Sequence, residues 1–376
     1  MKDDERLNGW REVFFKDFAS FRTGKLNSNA SCKNGKFPFF TCSPSTLTIN
    51  DYAFDEEALI LAGNNANGKF ALKYYKGKFN AYQRTYIISL SNEVEYKFIF
   101  YALKQKLENL EYISHGTATK YLTLPLLNTI VFTLPPLPEQ KAIASVLSSL
   151  DDKIDLLHRQ NETLEAMAET LFRQWFVEEA DESWEVVELG DLIYTNLSSI
   201  TKKDQITKIQ YLDTSSIIEG SISELQLFDT ESAPSRARRL VKHNDIVFST
   251  VRPNQRHFGI IRNPDGNLVV STGFVVIRGK DMEPYFIYLY LTSDDMIEYL
   301  HSIAEASTST YPSLKPSDIT NLKLSLPPES LLKTFNNHCH NLWNKIDKNN
   351  NHIHILEQLR NTLLPQLIEG KIKVLK

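Results

Sequence analysis

The sequence predicts an α+β protein built from two tandem globular domains, each followed by a long helix. Three observations lead there. A chain of 376 residues can bury two ordinary cores. One stretch of sequence is written twice. Two segments carry an unbroken heptad seam.

The repeat is the most informative feature. The segment from Thr129, TIVFTLPPLPEQKAIASVLSSLDDKIDLLHRQNETLEAMAETLFRQWF, aligns without gaps on NLKLSLPPESLLKTFNNHCHNLWNKIDKNNNHIHILEQLRNTLLPQLI, which begins at Asn321. Leu134-Pro135-Pro136 falls on Leu326-Pro327-Pro328, and Lys153-Ile154-Asp155 on Lys345-Ile346-Asp347. Upstream the echo is weaker. Trp10-Arg-Glu-Val resembles Trp184-Glu-Val-Val, Ala81-Tyr-Gln-Arg-Thr-Tyr resembles Ser271-Thr-Gly-Phe-Val-Val, and Gly116-Thr-Ala-Thr resembles Ser307-Thr-Ser-Thr. The boundaries that follow are a first domain at 1–136, a helix at 137–182, a second domain at 183–328 and a second helix at 329–376.

Within each domain, short apolar runs bounded by Gly, Asn, Asp and Pro predict strands at Ala58 to Ala62, Tyr86 to Leu90, Asp245 to Val251 and Leu268 to Ile277. A short helix is expected at Tyr96 to Lys106 and another at Pro284 to Leu300. The Pro-Pro pairs end the last strand of each half, because proline donates nothing to a ladder and suits a helix start.

The long helices come next. Ile143, Leu147, Leu150, Ile154, Leu157, Asn161, Leu164, Ala168, Leu171 and Trp175 follow one another at spacings of four and three. Phe335, Cys339, Leu342, Ile346, Asn349, Ile353, Leu356, Arg360, Leu363 and Leu367 do the same. So narrow a stripe predicts a coiled-coil seam rather than a helix docked on its own domain. At 1.5 Å per residue a 38-residue helix is roughly 57 Å long. Short connections predict antiparallel pairing, hence an antiparallel coiled coil with pseudo-twofold symmetry between the halves. In that register Asn161 meets Asn349. They are the only asparagines on either seam, and two facing amides can satisfy one another.

Composition narrows the function. No apolar stretch is long enough to span a membrane, and the start MKDDERLNGW has no secretory core, so neither a membrane nor export is expected. Cys32, Cys42 and Cys339 are read as reduced thiols of a cytoplasmic protein. The net charge of −4 argues against a global basic field. Its distribution is uneven. Residues 1–136 hold 17 Lys+Arg against 13 Asp+Glu, whereas 137–182 hold 4 against 11. A nucleic-acid contact, if the chain makes one, would have to come from local clusters.

Leu-Pro-Pro-Leu-Pro-Glu-Gln-Lys-Ala-Ile-Ala (134–144), Leu-Asp-Asp-Lys-Ile-Asp (150–155) and Leu-Phe-Arg-Gln-Trp-Phe (171–176) resemble the first conserved region of type I restriction-modification specificity (S) subunits. Leu-Leu-Pro-Gln-Leu-Ile-Glu-Gly-Lys-Ile (363–372) resembles the end of their second. The resemblance implies a DNA sequence-specificity subunit with no catalysis of its own. Its two target-recognition domains would each read one half of a bipartite double-stranded DNA site. It would bind two methyltransferase (M) subunits and be joined by restriction (R) subunits. S-adenosylmethionine, ATP and Mg would sit on those partners, and this chain would hold no cofactor. One departure stands out. The second helix opens Pro-Pro-Glu-Ser, without the Pro-Glu-Gln of the first, so the two methyltransferase contacts need not be equivalent.

The DNA-contact candidates lie in three loops. Asn64, Asn67, Lys69 and Lys73 belong to the first, Tyr82, Gln83 and Arg84 to the second, and Arg252, Asn254, Gln255 and Arg256 to the third. Asn and Gln can bond adenine through two hydrogen bonds, and Arg can do so to guanine. Lys69, Lys73, Arg252 and Arg256 suit phosphates. A solvated connecting loop is an equal alternative for any one of them. Arg236-Ala-Arg238-Arg239 is either a contact to the DNA backbone or a charged turn. Gly63-Asn-Asn-Ala-Asn-Gly-Lys69-Phe70 falls short of a P-loop, since Phe70 stands where a Mg-binding hydroxyl is needed. A nucleotide-binding or DNA-cleaving enzyme rests on that loop alone, and a pure coiled-coil assembly protein is a third reading. His338-Cys339-His340 cannot converge on one metal from adjacent helical positions.

Overall fold

The computed structural model describes residues 9–66, 68–110, 120–201, 204, 206–306 and 313–374. The two Gly/Ser-Thr-Xaa-Thr segments of the repeat lie wholly or largely outside them. The chain divides into two compact units, Met1–Leu156 with His352–Lys376, and Leu157–Asn351. Each division falls inside a long helix.

In the first unit six strands form one sheet. From edge to edge they are Ala19–Thr23, Thr85–Leu90, Phe54–Ala62, Leu72–Ala81, Phe37–Phe40 and Leu47–Ile49. All neighbours are antiparallel except Phe37–Phe40 on Leu72–Ala81. Alternation decides what each face buries. Leu59 and Leu61 face a core shared with Phe98, Ile99 and Leu103 of the helix Tyr96–Leu110. Ala58 and Ile60 face a smaller core with Phe40 and Phe79. The helix-side core continues into Ile143, Leu147 and Leu367 of the long helices.

The second unit repeats this plan with a break. One four-stranded sheet runs Ile193–Thr195, Phe274–Gly279, Ile246–Ser249, Phe258–Ile260, and another runs Gln226–Asp229, Lys208–Leu212, Leu268–Ser271, Ala237–Leu240. The continuous strand Leu72–Ala81 thus has two counterparts, Phe258–Ile260 and Leu268–Ser271. Asn263, at φ 45°, and Pro264-Asp265-Gly266 part them. The predicted strand Leu268 to Ile277 is two strands, because Thr272-Gly273 turns the chain. The predicted strand Asp245 to Val251 shortens to Ile246–Ser249. The predicted helix Pro284 to Leu300 is broken at Ser293, which is extended (ψ 147°), with Asp294 and Asp295 starting the next helix where carboxylates suit the dipole.

Strand pairs close both halves in the same way. Arg11 pairs with Leu134 and Glu185 with Leu326. Phe15 N donates to Ile130 O, and Leu189 N to Leu322 O. After each Pro-Pro pair begins a long helix, Leu137–Arg173, prolonged by a π-helical turn to Glu178, and Glu329–Ile368. Not one of the seam positions is exposed. The helices face each other within each unit. In the second, Trp175 lies 6.1 Å from Phe335 and Asn161 meets Asn349, so they run antiparallel there. In the first, Arg360 Nη1 donates to Asp151 at 2.7 Å and Tyr101 Oη donates to the same carboxylate at 2.6 Å.

The asparagine layer is not a reciprocal pair. Asn349 Nδ2 donates to Asn161 Oδ1 at 2.8 Å, but Asn161 Nδ2 donates to Asn350 Oδ1 at 2.7 Å. Asn349 Oδ1 is buried without a partner among the described residues. Asn350 lies off the seam, so the heptad pattern does not point to it.

Candidate nucleic-acid interface

In the first unit the loops are strand connections. Tyr82 to Thr85 is the tight turn between Leu72–Ala81 and Thr85–Leu90, closed by Thr85 N to Tyr82 O at 2.9 Å. Gln83 and Arg84 are exposed at its tip, and Tyr82 is half-buried. Gln83 Nε2 donates to Asn27 Oδ1 at 3.0 Å, while the Arg84 guanidinium makes no ion pair among the described residues. The neighbouring connection, from Gly63, is bonded to this turn by Gly63 N to Arg84 O at 2.9 Å. The approach is close because residue 63 has no side chain. A Cβ there would stand 2.5 Å from Arg84 O.

Asn64 is half-buried on a short strand paired with Lys120–Tyr121, and its Oδ1 has no partner among the described residues. Asn67 lies outside the described residues. Lys69 is exposed. Lys73 is engaged. Its Nζ donates to Thr46 Oγ1 at 3.0 Å and sits 5.5 Å from the Phe40 ring centre, and burial pushes its ammonium below the usual lysine range. The segment after Lys69 continues as the strand Leu72–Ala81, so no helix N-terminus faces the Gly-Asn-rich loop as phosphate binding there would need.

The second unit builds the same frame. Thr250 N donates to Gly273 O at 2.8 Å, as Gly63 N does to Arg84 O. Leu314 N donates to Thr250 O at 2.8 Å, as Leu122 N does to Gly63 O at 2.9 Å. The third loop therefore occupies the place of the first, and Thr272-Gly273 the place of Gln83-Arg84. The sequence alignment of Ala81-Tyr-Gln-Arg on Ser271-Thr-Gly-Phe slips by one residue here, because the turn between Ala81 and Thr85 has three residues and that between Ser271 and Phe274 has two. Arg252 and Arg256 both take positive φ, 48° and 57°, around the helical turn Pro253–Gln255. Such angles are uncommon for arginine and persist where the surroundings impose them.

Here the surroundings are visible. Pro253 is buried, and the Arg256 guanidinium is held by Asp294 and, at 3.1 Å, by Glu219, which in that order push its pKa up. Arg252, Asn254 and Gln255 stay exposed. The Arg256 guanidinium is thus engaged within the fold by two carboxylates that its position in the sequence does not signal. Arg236 and Arg238 are exposed beside this frame, since Thr272 N donates to Arg236 O at 2.8 Å. Sequence reasoning missed Asn27 and Thr46, which neighbour the candidate loops without any motif to mark them. Among the described residues no three His, Cys, Asp or Glu side chains are grouped to hold a metal ion. Cys339 is fully buried, its thiol pushed up to about 12 by that burial, and His338 packs 5.8 Å from Trp175. No described helix is long and apolar enough to cross a membrane.

A frame built twice, one copy per half, is matched by the comparison with known families. The model of the type I restriction modification DNA specificity domain matches residues 8–166 and again 181–375. The chain belongs to this family. Among its relatives, the specificity subunit of the type I restriction enzyme EcoDI from Escherichia coli is 36% identical over 162 residues. That match takes in 43% of this chain and 34% of the relative, so it spans about a third of that subunit's length. The MjaIX specificity subunit from Methanocaldococcus jannaschii is 27% identical over 302 residues, 74% of this chain and 69% of that one. The crystal structure of the type I restriction-modification S subunit from M. genitalium has a similar fold. It superposes with a TM-score of 0.61 over 98% of both chains at 18% identity.

Proposed function

We propose that this member of the specificity family acts as the DNA sequence-specificity subunit of a type I restriction-modification complex. Residues 1–136 and 183–328 act as two target-recognition domains, each reading one half-site of a bipartite target in double-stranded DNA. The helices at 137–182 and 329–376 pair as an antiparallel coiled coil that sets the spacer between half-sites. They also receive two methyltransferase subunits, with restriction subunits joining that core. Chemistry on DNA belongs to those partners, and this chain supplies recognition without catalysis.

One observation carries the reading. The same main-chain frame, Gly63 with Arg84 and Thr250 with Gly273, presents an exposed polar loop in each half. On that frame Gln83 and Arg84 in one half, and Arg252, Asn254 and Gln255 in the other, are exposed where base edges or phosphates could reach them. A fold repeated in tandem suits a duplex with two half-sites. The test is to expose DNA to this chain together with its methyltransferase partner and map the methylated adenines. A two-part motif with a fixed spacer is expected. Methylation without sequence preference, or by this chain alone, would overturn the proposal.

A further inference from the structure

The second unit holds a cavity of about 200 Å³ that the DNA reading does not use. Glu162, Glu165 and Glu169 of the first long helix reach it from one side, and Glu219 from another. Arg256 is the one cation in the lining, and it is already bonded to Glu219 and Asp294. Glu162, Glu165 and Glu169 form no ion pair or hydrogen bond among the described residues. Carboxylates gathered on a protein surface are common and by themselves point to nothing.

Two further observations do. Tyr288 lines the cavity with its side chain about nine-tenths buried (9% exposed), and its hydroxyl has no hydrogen-bond partner among the described residues. Beside Gly220, at φ +79°, the place a Cβ would occupy is 3.7 Å from Tyr288 Oη and 3.8 Å from Glu165 Oε1. Hydroxyl and carboxylate therefore converge on one open space. The second observation is the wall. Phe258, Tyr288 and Trp343 line it, with ring centres 5.9 Å apart for Phe258 and Tyr288 and 6.1 Å for Tyr288 and Trp343. Aromatic faces attract cations, and they shelter an alkyl stem.

We infer that this cavity binds an organic cation, a primary ammonium or guanidinium head on a short alkyl stem. Its hydrogens would go to the carboxylates of Glu165 and Glu169 and to the Tyr288 oxygen. A bare metal ion fits less well, since among the described residues no three acidic, His or Cys side chains are grouped to hold one. Burial and the neighbouring Glu169, Glu219 and Glu162 push the Glu165 carboxyl up to about 7, so an arriving cation would release a proton. Such a head occurs on free polyamines and on lysine or arginine side chains of a protein packed along this helix. The inference is independent of the DNA proposal, and failure of either leaves the other standing.

The full-length chain is titrated calorimetrically with spermidine, with Nα-acetyl-lysine methylamide and with Nα-acetyl-arginine methylamide. Saturable binding of at least one probe is expected. The double variant Glu165→Gln/Glu169→Gln should weaken it tenfold or more. Tyr288→Phe, which keeps the ring, should weaken it about threefold. Tightest binding of spermidine assigns the site to a free polyamine, and tightest binding of a capped amino acid assigns it to a protein side chain. Absence of saturable binding by all three probes, or affinity unchanged in the double variant, overturns the inference.

Discussion

Asn349 donates its amide proton to the Asn161 carbonyl across 2.8 Å, with both side chains at least nine-tenths removed from solvent. An amide facing leucine there would lose its partner, at a cost of about 1–3 kcal/mol. Asn161→Leu or Asn349→Leu alone should therefore lower stability by about that amount in urea unfolding. The double variant should recover most of it, since Asn349 Oδ1 is already unpartnered. In the complex proposed above, the double variant should methylate at wrong spacers more often. Unchanged spacer choice would place register control elsewhere.

Arg262 ties the second globular domain to the second long helix. Its Nε donates to Asp347 at 3.0 Å and its Nη2 to Asn344 at 3.3 Å, and both members of the ion pair are largely buried (12% and 19% exposed). Arg262→Ala leaves a carboxylate and an amide with less to bond. A loss of about 1–3 kcal/mol is expected, larger than an exposed pair such as Arg11–Glu93 would give. Thermal unfolding of Arg262→Ala against Arg11→Ala is the comparison.

Glu165 sets a pH dependence whose sign is unusual for a carboxylate. Its value is raised from 4.5 to about 7 by burial, then by Glu169, Glu219 and Glu162. Between pH 4.5 and 7 the folded protein holds this proton while the unfolded chain has released it. Stability therefore falls as pH rises through that window, and the penalty is complete above 7. Glu165→Gln should add about 1–3 kcal/mol at pH 8 and nothing at pH 4. Equal effects at both pH values would contradict the assignment.

Gly63→Ala should displace the turn that carries Gln83 and Arg84, because the new methyl group meets backbone rather than a flexible side chain. A cost of about 1–3 kcal/mol is expected. Recognition of one half-site should weaken while the other is unaffected. Half-site-resolved methylation separates this from general loss of fold.

Among the loop residues, Gln83→Ala or Arg84→Ala should alter base choice in one half-site, and Gln255→Ala in the other, by about 1–3 kcal/mol where a two-bond contact is lost. Arg256→Ala is expected to act differently, loosening the loop whose positive φ it enforces, so that affinity falls without a change in preferred base. A changed preferred base would mean that Arg256 reads DNA directly.

Much of this architecture was legible in the residues because it depends on local pattern. The seams, the Pro-Pro helix starts and the offset between the halves are periodicities, and they need no knowledge of distant contacts. The turn at Thr272-Gly273 and the break at Ser293 were harder. The first lies between two apolar runs, where hydrophobicity says buried without saying where the chain reverses. The second sits at Thr292-Ser293-Asp294-Asp295, a polar helix start that one continuous helix over the apolar residues on either side passes over. The engagement of Arg256 by Glu219 and Asp294 was out of reach, since its partners lie 37 and 38 residues away. For the same reason Arg256 looked as available as its neighbour Arg252. The acidic cavity is not legible in the sequence, because nothing in the pattern of Glu162, Glu165 and Glu169 places Tyr288 and Trp343 beside them.

The bonds joining Gly63 to Arg84 and Thr250 to Gly273 run from main chain to main chain. Neither depends on which side chain the turn carries. Gln83 and Arg84 stand where the other half has Thr272 and Gly273, and the frame beneath is the same. A surface of that kind can drift without unfolding. Under the function proposed above, mutation could rewrite what the tips display while selection for a stable molecule acts elsewhere, and a new preference could arise in one half before the other has changed at all.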